Sequence, residues 1–236
     1  MRLPFTPVTV STYPCQLRNL LCSIASGFLL LLATSLPAQK PTPADTRLRG
    51  FEQRRQIRQN SLLGSLKPEN IGPTVFSCRV TDVEVHPDDP TKMYVAYASG
   101  GLWYSDNNGT TFKPVFDQEA SMTIGDIAVD WQRGVLWVGT GEANSSRSSY
   151  AGTGMYRSAD GGKTWEHRGL PESHHIGRIV LHPTDPEVIW VAVLGHLYSP
   201  NAERGVYRST DGGRTWKRTL FVDNITGAVD LCLDPT

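Results

Sequence analysis

The sequence lacks the features that mark a nucleic-acid binder, a disulfide scaffold or a helical bundle. Lys plus Arg and Asp plus Glu stand at 23 each, the formal net charge is zero, and charged residues make up 19% of 236. A protein that neutralises phosphates gathers a basic excess into a patch or stripe. The one basic run, Arg47, Arg49, Arg54, Arg55 and Arg58, reads as a solvated linker, so no nucleic-acid partner is expected. Helical periodicity is also scarce, because Gly and Pro interrupt the chain every ten residues or so. The one candidate helix is "TRLRGFEQRRQIRQNSLLGSL". Long apolar runs are confined to "LLCSIASGFLLLLATSLPA", which follows Arg2 and Arg18 and ends in small residues near Ala38. That is the layout of a secretory signal peptide. Residues 1–38 are therefore expected to be a signal, with an uncleaved anchor as the alternative, and 39–67 a linker with a short helix. The protein is expected to be exported, with no membrane contact beyond that segment.

Four cysteines are few, and Cys15 and Cys22 lie in the signal. Cys22 follows "NLL", without the small residue that precedes a lipid-modified cysteine. Cys78 and Cys232 permit at most one bridge. Export would favour oxidation, but the repeat described next puts the two in different units, and they read as small buried apolar residues.

What is abundant is repetition. Three segments align, beginning at Arg79, Thr123 and His175, and a fourth begins at "GAVDLCLDPT". In each, short runs alternate apolar and polar residues, as in "VTDVEV", "MYVAYA", "LWYS" and "TTFKPV", with turn chemistry such as "HPDDPTK" and "SDNNG" between them. Val83, Ile127, Ile179 and Leu231 occupy equivalent positions, 44, 52 and 52 residues apart by subtraction. A four-stranded unit at this period is a β-propeller blade. The fold class is all-β: residues 68–236 form three blades and the start of a fourth. Closed propellers use about four to eight blades, so the chain is expected to be the amino-terminal part of a longer protein.

The decapeptide "YRSADGGKTW" returns as "YRSTDGGRTW". Its pattern is Ser158, Asp160, Gly162, Thr164, Trp165, then Ser209, Asp211, Gly213, Thr215, Trp216, with a degenerate copy Ser105, Asn107, Gly109, Thr111, Phe112 in the first blade. This resembles the Asp-box, or bacterial neuraminidase repeat. Each residue has a structural use: the acid or amide oxygen accepts N–H groups of a tight turn, glycine permits positive φ, and the aromatic ring fills the gap between sheets. Counting strands A to D from the inside outward, the Asp-box is a C-to-D turn. It shares a face with the A-to-B turns, opposite the B-to-C and D-to-A connections.

Those opposite connections are the long ones: "TGEANSSRSSYAGTG", "LGHLYSPNAERG" and "PESHHIG". Long polar loops on a rigid scaffold are where binding tends to reside. They bring Glu142, Asn144, Arg147, Tyr150, His174, His175, Arg178, His196, Tyr198, Glu203 and Arg204 toward one rim. Arginines with carboxylates and aromatics suit an acidic or sugar-like ligand. The histidines with Glu142 could ligate a metal, but His174 and His175 are adjacent and on an extended segment would point to opposite sides. No metal or cofactor is expected.

The loops and strands together, in "VTDVEVHPDDP", "YASGGLWYSDNNGTTFKPVFD" and "HHIGRIVLHPTDPEVIWVAVLGHLYSPNAERGVYRSTDGGRTWKR", resemble exported bacterial BNR-repeat proteins with a sortilin-type amino-terminal propeller, many of them catalogued as glycosyl hydrolases. The resemblance covers residue 68 onward and implies a multi-blade propeller without implying an activity. Sialidases share the Asp-box but hold the substrate carboxylate with an arginine triad, and the "RIP" motif that precedes their first box is absent from "SCRVTDVEVHP". Xyloglucanase-type enzymes carry a catalytic Asp before a Gly-Gly pair where this chain has Ala98 and Ser99 before Gly100 and Gly101. The expected function is a non-catalytic binding module for a protein, peptide or carbohydrate. The alternative is a glycoside hydrolase whose catalytic groups lie partly in other blades, since such enzymes need two carboxyl groups, and Glu142 and Glu203 are the evident rim candidates.

Overall fold

The structure is a computed structural model that describes residues 40–64, 66, 79–147 and 149–234. The expected signal segment and Cys78 lie outside the described residues.

Three antiparallel four-stranded sheets follow one another along the chain. The first comprises β1 (Val80–Val85), β2 (Met93–Tyr97), β3 (Gly101–Ser105) and β4 (Lys113–Pro114); the second β5 (Ile124–Asp130), β6 (Val135–Thr140), β7 (Met155–Ser158) and β8 (Glu166–His167); the third β9 (Ile176–Leu181), β10 (Ile189–Val193), β11 (Gly205–Ser209) and β12 (Lys217–Leu220). Each sheet keeps sequence order, as an up-and-down meander closed by short turns must. The innermost strands lie side by side, β1 next to β5 and β5 next to β9, so the sheets are neighbouring blades of a β-propeller.

The register repeats from blade to blade. Val83 pairs with Val95 and Val95 with Trp103; Ile127 with Val138 and Val138 with Tyr156; Ile179 with Val191 and Val191 with Tyr207. The pairing of each innermost strand with its neighbour also carries a bulge, next to Asp82, Asp126 and Arg178. Gly125 occupies one of these bulges, and a Cβ there would come within 1.9 Å of the Ile176 carbonyl oxygen of the next blade. Only glycine lets the inner strands approach this closely.

Side-chain alternation fills the gaps between blades. Leu136 and Val138 of β6 face the first blade, packing with Tyr94, Leu102, Phe116 and Ile127. Trp137, between them, faces the third blade with Met155, Ile179, Val191 and Tyr207. A blade covered on both sides needs apolar residues at successive positions, which is why "VLWV" reads as a continuous run. Each such buried large side chain contributes on the order of 1.5–3 kcal/mol.

Helix α1 (Ala44–Gln59) begins two residues ahead of the candidate stretch, at Ala44 rather than Thr46, and stops at Gln59, before its "NSLLGSL" end. Arg, Gln and Glu favour helix, Asp45 in the first turn and Arg58 in the last complement the dipole, and the Asp45–Arg49 pair at 3.3 Å spans one turn. Only Ala44 is buried, so the helix owes little to packing. No helix among the described residues is long and apolar enough to cross a membrane.

Two expectations at the carboxyl-terminal side need correction. The segment from Gly227 is not a strand, although it lies against the ends of β9 and β10: Gly177 of β9 abuts the Val229 carbonyl, and Ala228 N–H donates to Val193 O of β10 at 3.1 Å. It has no second strand beside it among the described residues, so no ladder forms. For the same reason Cys232 is exposed and a free thiol, where a buried one was expected.

Candidate functional site

The Asp-boxes are turns wired to themselves. Ser158 Oγ accepts Gly162 N–H at 2.8 Å, and Asp160 accepts Thr164 N–H at 2.9 Å and Thr164 Oγ–H at 2.6 Å. Ser209, Asp211 and Thr215 reproduce these bonds, and Asn107 does so in part in the first blade. The Thr hydroxyl bond, helped by backbone N–H groups, lowers the pKa of Asp160 and of Asp211 to about 2. The tryptophan of each box reaches the preceding blade: Trp165 Nε1 donates to Val115 O at 2.7 Å and Trp216 Nε1 to Arg168 O at 2.6 Å. These boxes index one blade against the next. Backbone bonds from Asn108 to Thr91 and from Gly212 to Glu187 put the boxes on the same face as the A-to-B turns.

The long connections meet on the other face, where Gly152 N–H donates to His174 O at 2.7 Å and Asn201 N–H to Asn224 O at 2.8 Å. Glu142 is the centre of this loop system and its side chain is fully buried. Arg79, just ahead of β1, grips its carboxylate with Nε at 2.6 Å and with a second guanidinium nitrogen. Ser149 Oγ donates at 2.9 Å and Asn144 Nδ2 at 3.3 Å. Burial alone would raise the pKa of Glu142, but these hydrogen bonds outweigh it and hold it below the usual value. A carboxylate so held is a structural anion.

His174 and His175 are both buried. His175 Nδ1 lies 2.7 Å from the Glu142 carbonyl oxygen, while His174 packs edge-on against His196 with ring centroids 3.9 Å apart. His174 has φ +56°, so the strict alternation of an extended chain does not apply there, and both rings enter the loop system. Burial, then the Arg47 charge, lowers the His174 pKa to about 3; burial lowers that of His175 to about 4. Both are neutral imidazoles at pH 7. Helix α1 closes over this corner: Ala44 N–H donates to Glu172 Oε1 at 2.6 Å, and Arg47 donates to Gly152 O and, at 3.3 Å, to Pro171 O.

Of the remaining rim residues, Arg204 is buried and donates to the carbonyls of Leu194 at 2.6 Å, Ser199 at 3.2 Å and His196, tying one loop together. Glu203 accepts the Tyr207 hydroxyl at 3.2 Å. Arg178 is not at the rim: it sits on β9, facing inward at the bulge, and bridges Asp126 at 3.2 Å and Asp230 at 2.8 Å. Arg147 is exposed and makes no hydrogen bond or ion pair among the described residues, while Tyr150 and Tyr198 are 59% and 75% exposed.

The inner strands form a second polar system. Asp82 accepts Ile127 N–H at 3.3 Å and Asp126 accepts Ile179 N–H at 2.6 Å, one blade to the next. Burial is the main cause that raises Asp126 to about 8, against the Ile179 bond and the Arg178 charge, and Glu84 to about 7. Arg47, expected in a solvated linker, is instead largely buried against the loops through Gly152 O and Pro171 O, and neither Arg79 nor Glu172 stands out in the sequence, because these contacts cross long stretches of chain. The "PESHH" composition was the only local signal, and it pointed to the loop without singling out Glu172.

The BNR/Asp-box repeat model matches residues 156–167 and 207–218. A protein of Neosartorya fischeri named probable oligoxyloglucan-reducing end-specific xyloglucanase is 26% identical over 170 residues, covering 68% of this chain. The chain spans 19% of that relative's length. Among solved structures, an ancestral GH74 enzyme is 23% identical with a TM-score of 0.48, covering 61% of this chain and 19% of its own. A GH74 enzyme from Niastella koreensis is 21% identical with a TM-score of 0.45, covering 61% of this chain and 23% of its own. With BNR/Asp-box repeats matched at two of its C-to-D turns and three four-stranded sheets arrayed around their innermost strands, the chain forms part of a β-propeller that carries BNR repeats.

Proposed function

We propose that this is an exported propeller of the sortilin-like BNR type whose loop-rich face binds a carbohydrate without hydrolysing it. One observation carries the reading: the buried charged groups of that face are tied to one another and to backbone, whereas Arg147, Tyr150 and Tyr198 stand exposed. Exposed tyrosines offer flat apolar faces with a polar tip, the surface a sugar ring stacks on, and a free guanidinium supplies donors to hydroxyl or carboxylate oxygens. The xyloglucanase relative makes xyloglucan oligosaccharides the first ligands to try.

The non-catalytic part of the reading rests on Glu142. A general acid needs a pKa pushed toward the working pH, and Arg79 pushes Glu142 the other way. The hydrolase alternative draws on the same relative and on the inner-strand carboxyls Glu84 and Asp126, which do sit near neutrality. Protein or peptide ligands are the remaining option for the same face.

The test is calorimetric titration of the full chain with xyloglucan oligosaccharides. Tyr198→Ala and Tyr150→Ala should each weaken binding by about 1 kcal/mol or more, roughly fivefold. Binding unaffected by either change would refute the assignment of this face.

A further inference from the structure

We propose that Glu172, His174 and His196 form a site for a divalent transition ion of the zinc class, and that Arg47 of helix α1 occupies the position of that ion's charge in the ion-free form. The site is independent of which polymer the loop face takes.

Arg47 lies with one guanidinium nitrogen 3.3 Å from His174 Nε2. Guanidinium can only donate, so Nε2 of His174 is the acceptor and carries its lone pair into the cluster. Glu172 Oε2 faces the same atom at 3.5 Å. Two lone-pair atoms at that distance repel unless a cation lies against both, and Arg47 does so at 3.3 and 3.9 Å. One ring nitrogen of His196 completes the group, with the three ligand-capable atoms all within 4.8 Å of one another. For bonds of about 2.0–2.1 Å to imidazole and carboxylate in a tetrahedron, ligand atoms stand roughly 3.4 Å apart. The Glu172–His174 pair is already at that spacing, and the His196 nitrogen lies within 4.8 Å of both. Two imidazoles and a carboxylate are the donor set that suits zinc, and three protein ligands leave a fourth position open.

The surroundings support both occupants. His196 Nδ1 lies 2.9 Å from Ser199 Oγ, an outer partner of the kind that orients a ligating ring. The other two ligands come from the connection between β8 and β9 and so lie within two residues of each other, anchored by His175 on the Glu142 carbonyl. Arg47 is held by its two terminal nitrogens, on Gly152 O and Pro171 O, while its buried Nε has no hydrogen-bond partner among the described residues. It belongs to a helix whose only buried residue is Ala44, so swinging it out gives up its two bonds to loop carbonyls but little packing. A metal ion binding here would release Arg47, and with it the amino-terminal end of α1 from Glu172.

The experiment is equilibrium dialysis of the full chain with Zn2+, with Co2+ as a spectroscopic probe. One equivalent should bind, and Co2+ should show the visible absorption of a four-coordinate site. His196→Ala and Glu172→Gln should each lower affinity by about tenfold or more, and Arg47→Ala should tighten it. Thermal unfolding of each variant without metal separates lost ligation from lost folding, and His196→Asn gives a smaller substitution should His196→Ala fail to fold. Absence of stoichiometric binding in both the natural chain and Arg47→Ala overturns the proposal, as does binding that persists in a folded His174→Ala/His196→Ala double variant.

Discussion

At the scale of single residues, the Asp-box shows how one turn sets the distance between sheets. Trp216→Phe keeps the ring but loses the 2.6 Å bond to Arg168 O, which should cost about 1 kcal/mol. Gly213→Ala should cost more, about 1–3 kcal/mol, because Gly213 has φ +77° and a Cβ would meet the Trp137 ring at 2.7 Å. Urea unfolding of the two variants checks that order. Asp160→Asn should be milder than Asp160→Ala, since Asn107 already makes the same turn bond to Thr111 N–H at 2.9 Å. The box residues were legible because their partners lie within four positions. Glu142 is legible in the sequence as a loop carboxylate, but its burial is not: its partner Arg79 lies 63 residues away, and no local pattern announces such a pair.

At the scale of elements, the inner strands and the Asp-boxes respond to pH with opposite signs. Asp160 and Asp211 are lowered from 3.8 to about 2, so the stability they contribute is present above pH 4 and lost as pH falls toward 2. Asp126 is raised from 3.8 to about 8. Its folded form keeps a proton that the unfolded chain has released, so its contribution falls as pH rises from about 4 to about 8. Asp126→Asn keeps an acceptor for Ile179 N–H and should flatten that decline, leaving the part due to Glu84, which is raised to about 7. Chemical denaturation at a series of pH values measures the slope. The strands themselves were legible from alternation, whereas the place of Arg178 was not. The loop "PESHHIG" ends one residue before it, and only the boundary of β9 at Ile176 puts it on the strand.

For the whole molecule, the repeat period gave the architecture, and the faces followed from alternating chain direction. The burial of the outermost surfaces was not legible in that way. Val80, Val83 and Val85 of β1 are 50%, 46% and 43% exposed, and Phe221, Val222, Ile225 and Val229 lie open at the other end of the arc. Ile127 and Ile179, equivalent to Val83, are buried at 2% and 4% because a neighbouring blade covers them. Exposed apolar side chains grouped at one element bind hydrophobic dyes and promote association where they form a patch. The 236-residue chain should enhance the fluorescence of such a dye under native conditions, and the apparent mass from light scattering should rise with protein concentration; a dye-silent monomer would show that these surfaces are covered.

The central claim is that the loop-rich face binds carbohydrate and leaves it intact. Product analysis after long incubation of the full chain with xyloglucan oligosaccharides, at pH 5 to 8 and alongside the binding titration, tests it most directly. The account predicts saturable binding that Tyr198→Ala weakens, with no new reducing ends at any pH. Release of shorter oligosaccharides that disappears in Asp126→Asn or Glu84→Gln would contradict it and establish the inner-strand carboxyls as a hydrolytic site.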